Sequence, residues 1–412
     1  MELLPDVTPD AKRLVATKAL RSLGDGFASV ALAAYMHERG FTAAEVGLLA
    51  TVALLGTAAA TLGVGFVVER VGRRRVLRWG TAVLMASGLA FALVEPYWAL
   101  LIVAFAGTLN PTAGDISVFL PVEQAALAGT VEADRRTWLY ARYNLFGRLA
   151  AAAGALLPGI AAALARALSW PIEAALRGMF ALYGVVGLAM LAIYRGLTGA
   201  VEVSAAERVS RGGLGPSRGT VMRLSALFAL DSFGGGLAID SLIALWMFER
   251  YGLSIESASL IFSVVGVLAA GSMLFAAPLA SRIGLVNTMV YTHIPSNIAL
   301  LLVPLAPSLW IALALLAVRS ALSQMDVAPR TAYIMAVVTP EERAAAASVT
   351  NVSRSLATAV APALGGWLLV IGPFGLPLLV GGVLKALYDV LLLWGFRTHP
   401  VRDEASSTAT PR

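Results

Sequence analysis

The sequence predicts an all-α, polytopic membrane protein with twelve transmembrane helices in two pseudo-symmetric halves of six. Three observations carry this. The first is composition. Of 412 residues, 58% are hydrophobic and only 14% are charged, against about 25% charged in a soluble protein. The mean hydropathy is +0.78. The second is spacing. Apolar stretches recur at steps of roughly 30 residues, each near the ~20 residues that a span needs, so twelve of them would take about 240 residues of the chain. The third is an internal repeat, described below. This composition excludes a cytosolic enzyme, a disordered chain and a nucleic-acid binder as first readings.

In chain order the helices are expected at 14–36, 44–68, 76–95, 98–123, 137–166 and 174–197. A polar stretch at 198–223, with Ser, Gly, Pro and Arg208, Arg211, Arg218 and Arg223, separates them from a second set. That set runs at 224–249, 255–280, 286–305, 308–337, 344–371 and 376–396. The expected organisation is an N-terminal half (1–197), a cytoplasmic linker (198–223), a C-terminal half (224–396) and a polar tail (397–412). The first twelve residues include Glu2, Asp6 and Asp10, unlike the basic start and apolar core of a secretory signal. The first apolar stretch is therefore expected to stay as a membrane helix.

Lys and Arg favour cytoplasmic loops. Lys12, Arg13 and Lys18 precede or open the first helix, and Arg70, Arg73, Arg74, Arg75 and Arg78 lie between the second and third. Arg135 and Arg136 lie between the fourth and fifth, and the linker carries the four arginines named above. Intervening turns such as Glu95-Pro96 are poor in them. Both termini and the linker are thus expected in the cytoplasm. The net charge of +6 has the same explanation. The absence of cysteine excludes a disulfide framework or thiolate metal site.

The two sets of six echo each other in order. Arg21-Ser-Leu-Gly-Asp-Gly26 aligns with Asp231-Ser-Phe-Gly-Gly-Gly236, and Tyr35-Met-His-Glu-Arg39 with Trp246-Met-Phe-Glu-Arg250. Arg70-Val-Gly72 aligns with Arg282-Ile-Gly284, Asp115 with Asp326, Arg136 with Arg343 and Asn144 with Asn351. The offset between partners stays between 207 and 212 residues, which points to duplication. Symmetry of this kind places a shared site near the bilayer midplane.

The strongest local motif is Gly65-Phe-Val-Val-Glu-Arg-Val-Gly-Arg-Arg-Arg-Val-Leu77, joining the second helix to the third. It resembles the loop signature of the major facilitator superfamily at Gly65, Arg70, Gly72, Arg73 and Arg74, with Glu69 where that family usually has Asp. The resemblance extends to the twelve-helix layout. It implies a secondary transporter working by alternating access, with a cytoplasmic gating loop whose acid, Glu69, faces the start of the eleventh helix. An acid is favoured at a helix N-terminus, and Gly65 and Gly72 would allow close approach or a turn. The family's exporter signature survives only as an echo, Gly154-Ala-Leu-Leu-Pro-Gly159. The fourth-helix Arg of many drug exporters is missing, although Arg319 occupies the matching place in the second half. The first, fourth, seventh and tenth helices line the cavity in that family.

Ionisable residues inside apolar helices cost about 2.5–3.5 kcal/mol each on insertion scales and mark functional sites. The candidates for substrate binding and proton coupling are Arg21, Asp25, Asp115, Asn144, Arg148, Asp231, Asp240, Asp326, Arg330, Asn351 and Arg354. Asp25, flanked by Gly24 and Gly26, suggests a loosened helix where backbone meets substrate or ion, and Gly234-Gly-Gly236 suggests the same in the seventh. Asp326 and Arg330 share a helical face. Asp115 with Arg148, and Asp326 with Arg354, could pair between helices. Asp240 could accept protons on the periplasmic side. His293 is expected to be a hydrogen-bonded structural histidine. Sodium coupling would need oxygen ligands such as Asp25 with Asn144 or Asn351.

No phosphate-cradling loop or clustered His/Cys set appears, so no enzyme, cofactor or metal site is expected, and a proton gradient is the expected energy source. The expected function is proton-coupled efflux of a small organic solute, with proton- or sodium-coupled uptake of an organic anion as the alternative. The expected partners are that solute and the lipid bilayer, with no nucleic acid, in a monomer of a bacterial inner membrane. Trp98, Trp170, Trp310 and Trp394, near helix ends, are expected to anchor at the interface.

Overall fold

The computed structural model describes residues 7–112, 117–132, 135–202, 214–372 and 374–397. Asp115, Arg208, Arg211 and the tail beyond Arg397 lie outside these. Among the described residues there are helices and no strand, and ten helical segments are long and apolar enough to cross a membrane. Trp98, Trp170, Trp310 and Trp394 are all exposed, as interfacial anchors require.

Local chemistry starts and stops these helices. α1 (Pro9–Glu38) begins where the Thr8 hydroxyl accepts the Ala11 N–H and proline takes the first position. α2 (Ala43–Val71) opens with a capping box between Thr42 and Glu45. Gly72, at φ 93°, turns the chain into α3 (Arg73–Leu93), a backbone angle open to glycine.

The fourth expected span is not one helix. α4 (Tyr97–Ala106) stops at Gly107, residues 107–112 are not helical, and α5 (Phe119–Ala128) starts at Phe119. Pro111 cannot donate to a helix there, and the Asn110 side chain instead accepts the Thr112 N–H at 2.9 Å. The fifth runs as α6 (Arg136–Ala155) and α7 (Leu157–Ala167), re-initiated at Pro158. α8 (Ile172–Arg195) completes the set.

In the second set the seventh span breaks after Gly236, between α9 (Arg218–Gly236) and α10 (Asp240–Tyr251). The glycine run predicted this loosening. α11 (Ile255–Ile283) and α12 (Leu285–Leu302) follow. The tenth span breaks at residues 323–326, between α13 (Leu309–Leu322) and α14 (Val327–Val337). α15 (Arg343–Ile371) and α16 (Leu376–Phe396) close the chain.

The loosening expected around Asp25 does not occur: α1 is continuous through Gly24 and Gly26. Gly26 serves packing instead. A Cβ there would lie 2.0 Å from the Ala151 carbonyl oxygen of α6. Its repeat partner Gly236 stands against α15 in the same way, a Cβ falling 2.9 Å from the Thr358 carbonyl oxygen. Ala151 and Thr358 are 207 residues apart, the offset of the Asn144/Asn351 pair, so both crossings are copies of one design.

The chain forms two compact units. One comprises Met1–Arg208 with Ile239–Val267, and the other Val209–Ala238 with Leu268–Arg412. In the first, α1 packs between α6 and α8, and α3 lies along α8. In the second, α9 packs on α15 and α16, and α12 lies along α16.

Gly26→Ala should lower stability by about 1–3 kcal/mol, as overpacking does, read as a lower midpoint of thermal unfolding in detergent. Gly63→Ala, on the open side of α2 where nothing lies within 4 Å, should leave it unchanged or raise it.

Candidate functional site

In the first unit α1 brings Lys18, Arg21 and Asp25 to one face, spaced three and four residues apart. Arg21 ion-pairs with Glu123 of α5, and both are buried. The Glu123 carboxylate has four hydrogen-bonding neighbours, although the Thr17 hydroxyl is also 3.0 Å from the Leu14 carbonyl oxygen. Oε1 accepts from the Thr17 hydroxyl at 3.1 Å and the Tyr194 hydroxyl at 2.6 Å, and Oε2 accepts from Arg21 and from the Tyr143 hydroxyl at 2.5 Å. The Arg21 guanidinium also lies 5.3 Å from the Phe119 ring centroid, and Lys18 Nζ is 5.6 Å from that of Tyr143.

Asp25 is treated differently. Its Oδ1 lies 3.0 Å from the Tyr183 hydroxyl, which is also 3.0 Å from the Thr108 carbonyl oxygen. A hydroxyl carries one proton and cannot serve both acceptors fully. Among the described residues Asp25 Oδ2 and Arg21 Nε and Nη1 have no hydrogen-bond partner.

The second unit holds a larger buried cluster. Asp231 of α9 receives Lys385 Nζ of α16 at 2.5 Å on Oδ1 and Arg330 of α14 at 3.3 Å on Oδ2. His293 Nε2 of α12 stands 3.7 Å from Oδ1. Arg330 also pairs with Asp326 at 3.0 Å, as their spacing predicted. The other face of the imidazole meets Asp389 of α16, Nδ1 to Oδ1 at 2.8 Å, and Asn297 Nδ2 donates to Asp389 Oδ2 at 2.7 Å. The Tyr388 ring packs edge-on to His293 at 5.8 Å. Ligand atoms of Asp231, His293 and Asp326 fall within 4.8 Å of one another, but Lys385 and Arg330 already neutralise this place, and a metal ion would have to displace them.

The remaining candidates are spread more widely. Arg354 donates Nε to the Ser232 hydroxyl at 3.2 Å. Asn144 and Arg148 are half-buried on α6, Asn351 is exposed on α15, and Asp240 opens α10 half-buried. Asp115, and with it the proposed pair to Arg148, lies outside the described residues. Tyr183, rather than Asn144, stands on Asp25. His293 is indeed hydrogen-bonded, but it sits at the centre of the acidic cluster instead of serving packing alone.

At the loop between α2 and α3, a cavity of about 430 Å³ is lined by Glu69, Arg70, Arg74, Arg75, Arg78 and Glu202 among others. The start of α3 is capped by Glu202, which accepts the Arg73 N–H at 2.7 Å and faces the Arg74 N–H at 3.4 Å. Arg73 also reaches the Val201 carbonyl oxygen at 3.2 Å. Gly72 supplies the turn expected of it. Gly65 does not supply close approach, since nothing lies within 4 Å of a Cβ there. In the second unit Glu342 plays a capping part like that of Glu202. It accepts the Gly215 N–H and, at 3.3 Å, the Ser217 N–H ahead of α9. Bonding from Ser217, then from the backbone of Gly215, draws its carboxyl down to about 2.

Sequence reasoning missed Glu123, Lys385 and Asp389. Lys385 is one of three lysines in the chain and lies four residues before Asp389 inside an apolar stretch, a signal of the kind that singled out the others.

A family model described as Major Facilitator Superfamily matches residues 14–294 and 224–411. The uncharacterized membrane protein YJR124C of Saccharomyces cerevisiae is 25% identical over 416 residues, covering 93% of each chain. Among solved structures, an inward-facing, occupied bacterial homolog of the human lysosomal transporter Spinster superposes with a TM-score of 0.73 at 15% identity, covering 94% of this chain and 96% of its own. A D-xylose-proton symporter gives 0.72 at 16% identity, covering 95% and 98%. At these identities the likeness is one of fold.

Glu123→Gln should cost about 3–5 kcal/mol, because Arg21 is left buried without its counter-charge. The check is thermal unfolding beside Arg21→Met/Glu123→Gln, which should recover part of the loss. The depressed Glu342 carboxyl stabilises its contacts at pH above its ordinary value of 4.5, and that contribution is lost as pH falls towards about 2. Hydrogen exchange of the amides of Gly215 and Ser217 should therefore be slow at neutral pH and fast in Glu342→Gln, the difference closing only at strongly acid pH.

Proposed function

The chain belongs to the major facilitator superfamily, a family of membrane transporters of small molecules, and from that premise we propose that it expels a small polar organic solute in exchange for protons. The observation that carries proton coupling is Asp25. It is buried in α1, and among the described residues its one hydrogen-bond partner is a hydroxyl that the Thr108 carbonyl also claims, while its second oxygen has no donor. A proton on Asp25 resolves the conflict: the acid donates to the Tyr183 oxygen, and Tyr183 donates to Thr108. Loading and unloading that proton as the site alternates between the two sides of the membrane supplies the coupling step.

The fifth-helix echo of the exporter signature supports efflux. The Arg-rich α2–α3 loop and linker support cytoplasmic termini in a bacterial inner membrane, and two fused halves support a working monomer. The energy source is the proton gradient, without a cofactor. A second reading, proton-coupled uptake of an organic anion, is favoured by the unpartnered Nε and Nη1 of buried Arg21. The fold shared with a D-xylose-proton symporter accommodates it.

The test is purified protein in liposomes loaded with a pH dye, challenged with organic anions, cations and zwitterions. The expected result is a substrate-dependent proton flux, opposite in direction to the substrate for antiport and in the same direction for symport, that Asp25→Asn abolishes. Substrate movement without a proton signal under any imposed gradient would overturn proton coupling.

A further inference from the structure

We propose that His293 and Asp389 together store one proton, and that its release moves Lys385 from Asp231 to Asp389. This deepens the proton-coupled reading and adds a second carrier, on α12 and α16, to Asp25 on α1.

The inference rests on how the three acids of the second unit are neutralised. Asp231 has two permanent cations, Lys385 at 2.5 Å and Arg330 at 3.3 Å. Asp326 has Arg330 at 3.0 Å and stands at the N-terminus of α14, where a carboxylate is favoured. Asp389 has neither. It is fully buried, and its hydrogen bonds come from an imidazole and a neutral amide. A buried carboxylate without a counter-charge is among the costliest arrangements in a protein, and it is more so in a bundle surrounded by hydrocarbon. A single proton on the 2.8 Å line between His293 Nδ1 and Asp389 Oδ1 removes that cost. It does so whether it sits on nitrogen, making an imidazolium–carboxylate pair, or on oxygen.

The charged groups facing this pair come from every element around it. α16 contributes Lys385, α14 Arg330 with Asp326 at its start, and α9 Asp231. On α13, Arg319 receives the Ser296 hydroxyl of α12 on its backbone oxygen and is half-buried. On α15, Arg354 is held at Ser232. Of these cations Lys385 is the one suited to replace the proton. It lies four residues before Asp389 on one helix, the spacing at which side chains meet, and its flexible stem lets the ammonium swing. Loss of the proton exposes the negative charge of Asp389, and Lys385 moves to it. Asp231 then keeps Arg330, and its Oδ1 is open to a hydrogen-bond donor of the cargo.

The composition makes this measurable without transport. The chain has three histidines and three lysines. The sample is protein in nanodiscs, carrying His37→Gln and His399→Gln and labelled with ¹⁵N in histidine rings and lysine ammonium groups. Lys385 is assigned by loss of its signal in Lys385→Arg. The expected result is that the His293 Nδ1 and Lys385 Nζ resonances move together, with one midpoint, as pH is scanned across the range in which the protein stays folded. In Asp389→Asn, neutral and of similar size, both should stay fixed over that range. A ring that does not titrate in the otherwise native protein overturns the store. A ring that titrates while Lys385 stays still overturns the switch, and titration unchanged in Asp389→Asn overturns the role of Asp389. Because the measurement requires no substrate, it can fail while proton-coupled transport stands, and the liposome assay can fail while the store stands.

Discussion

A charge inside an apolar bundle must find its counter-charge within the bundle, and this constraint organises both units. Arg21 and Asp231 occupy equivalent places in the repeat, yet their charges are opposite. Each therefore dictates the opposite charge on the span that packs against it: Glu123 from the fourth for Arg21, and Arg330 from the tenth for Asp231. Removing one member of such a pair costs several kcal/mol, because the other remains buried. Duplication thus preserved the requirement for a pair while letting its polarity invert.

The helices that carry these pairs are themselves anchored by close approaches to other neighbours, α1 to α6 and α9 to α15. Gly26 against Ala151 and Gly236 against Thr358 leave no room for a Cβ, and in a membrane such small-residue contacts replace the hydrophobic effect as the source of packing. The breaks in the fourth, seventh and tenth spans fit the same scheme. A helix that stops within the bundle can direct side chains and free backbone groups inward, which is tolerated only where protein or a wet cavity receives them. The first span needs no break, because its glycines are committed to packing.

Most of the layout was legible in the sequence, because a membrane span is written in a local property, hydropathy summed over about 20 residues. The repeat was legible for the same reason, being an ordered series of residues. What escaped depends on tertiary geometry. Glu123 sits at the end of the expected fourth helix, where an acid reads as a loop residue, and only the end of α4 at Ala106 and the restart of α5 at Phe119 place it inside. Gly24 and Gly26 read as loosening, yet Gly24 lies against the Tyr183 side chain of α8 and Gly26 against the Ala151 backbone of α6, neighbours that only tertiary geometry supplies. His293 was legible as a polar ring in an apolar helix, but its meaning lies in Asp389, almost a hundred residues away. Only the break after Gly234–Gly236 announced itself; those after Ala106 and at Ser323-Gln-Met-Asp326 lie in stretches read as continuous helix.

The two buried sites differ in a way that separates scaffold from machinery. Glu123 is surrounded by four donors, Thr17, Arg21, Tyr143 and Tyr194, one of them the Arg21 cation itself, and such a network holds its members in one arrangement. Asp25 and Asp389 are equally buried but incompletely matched, one by a tyrosine hydroxyl that has a second acceptor and the other by an imidazole and an amide. Each can be completed by adding a proton and unsettled by removing it. A transporter needs groups whose best partner changes during the cycle. Arg21 belongs to both kinds of site: its Nη2 is locked to Glu123, while among the described residues Nε and Nη1 have no hydrogen-bond partner. One side chain therefore ties the rigid network to the group one turn further along α1 that can gain or lose a proton.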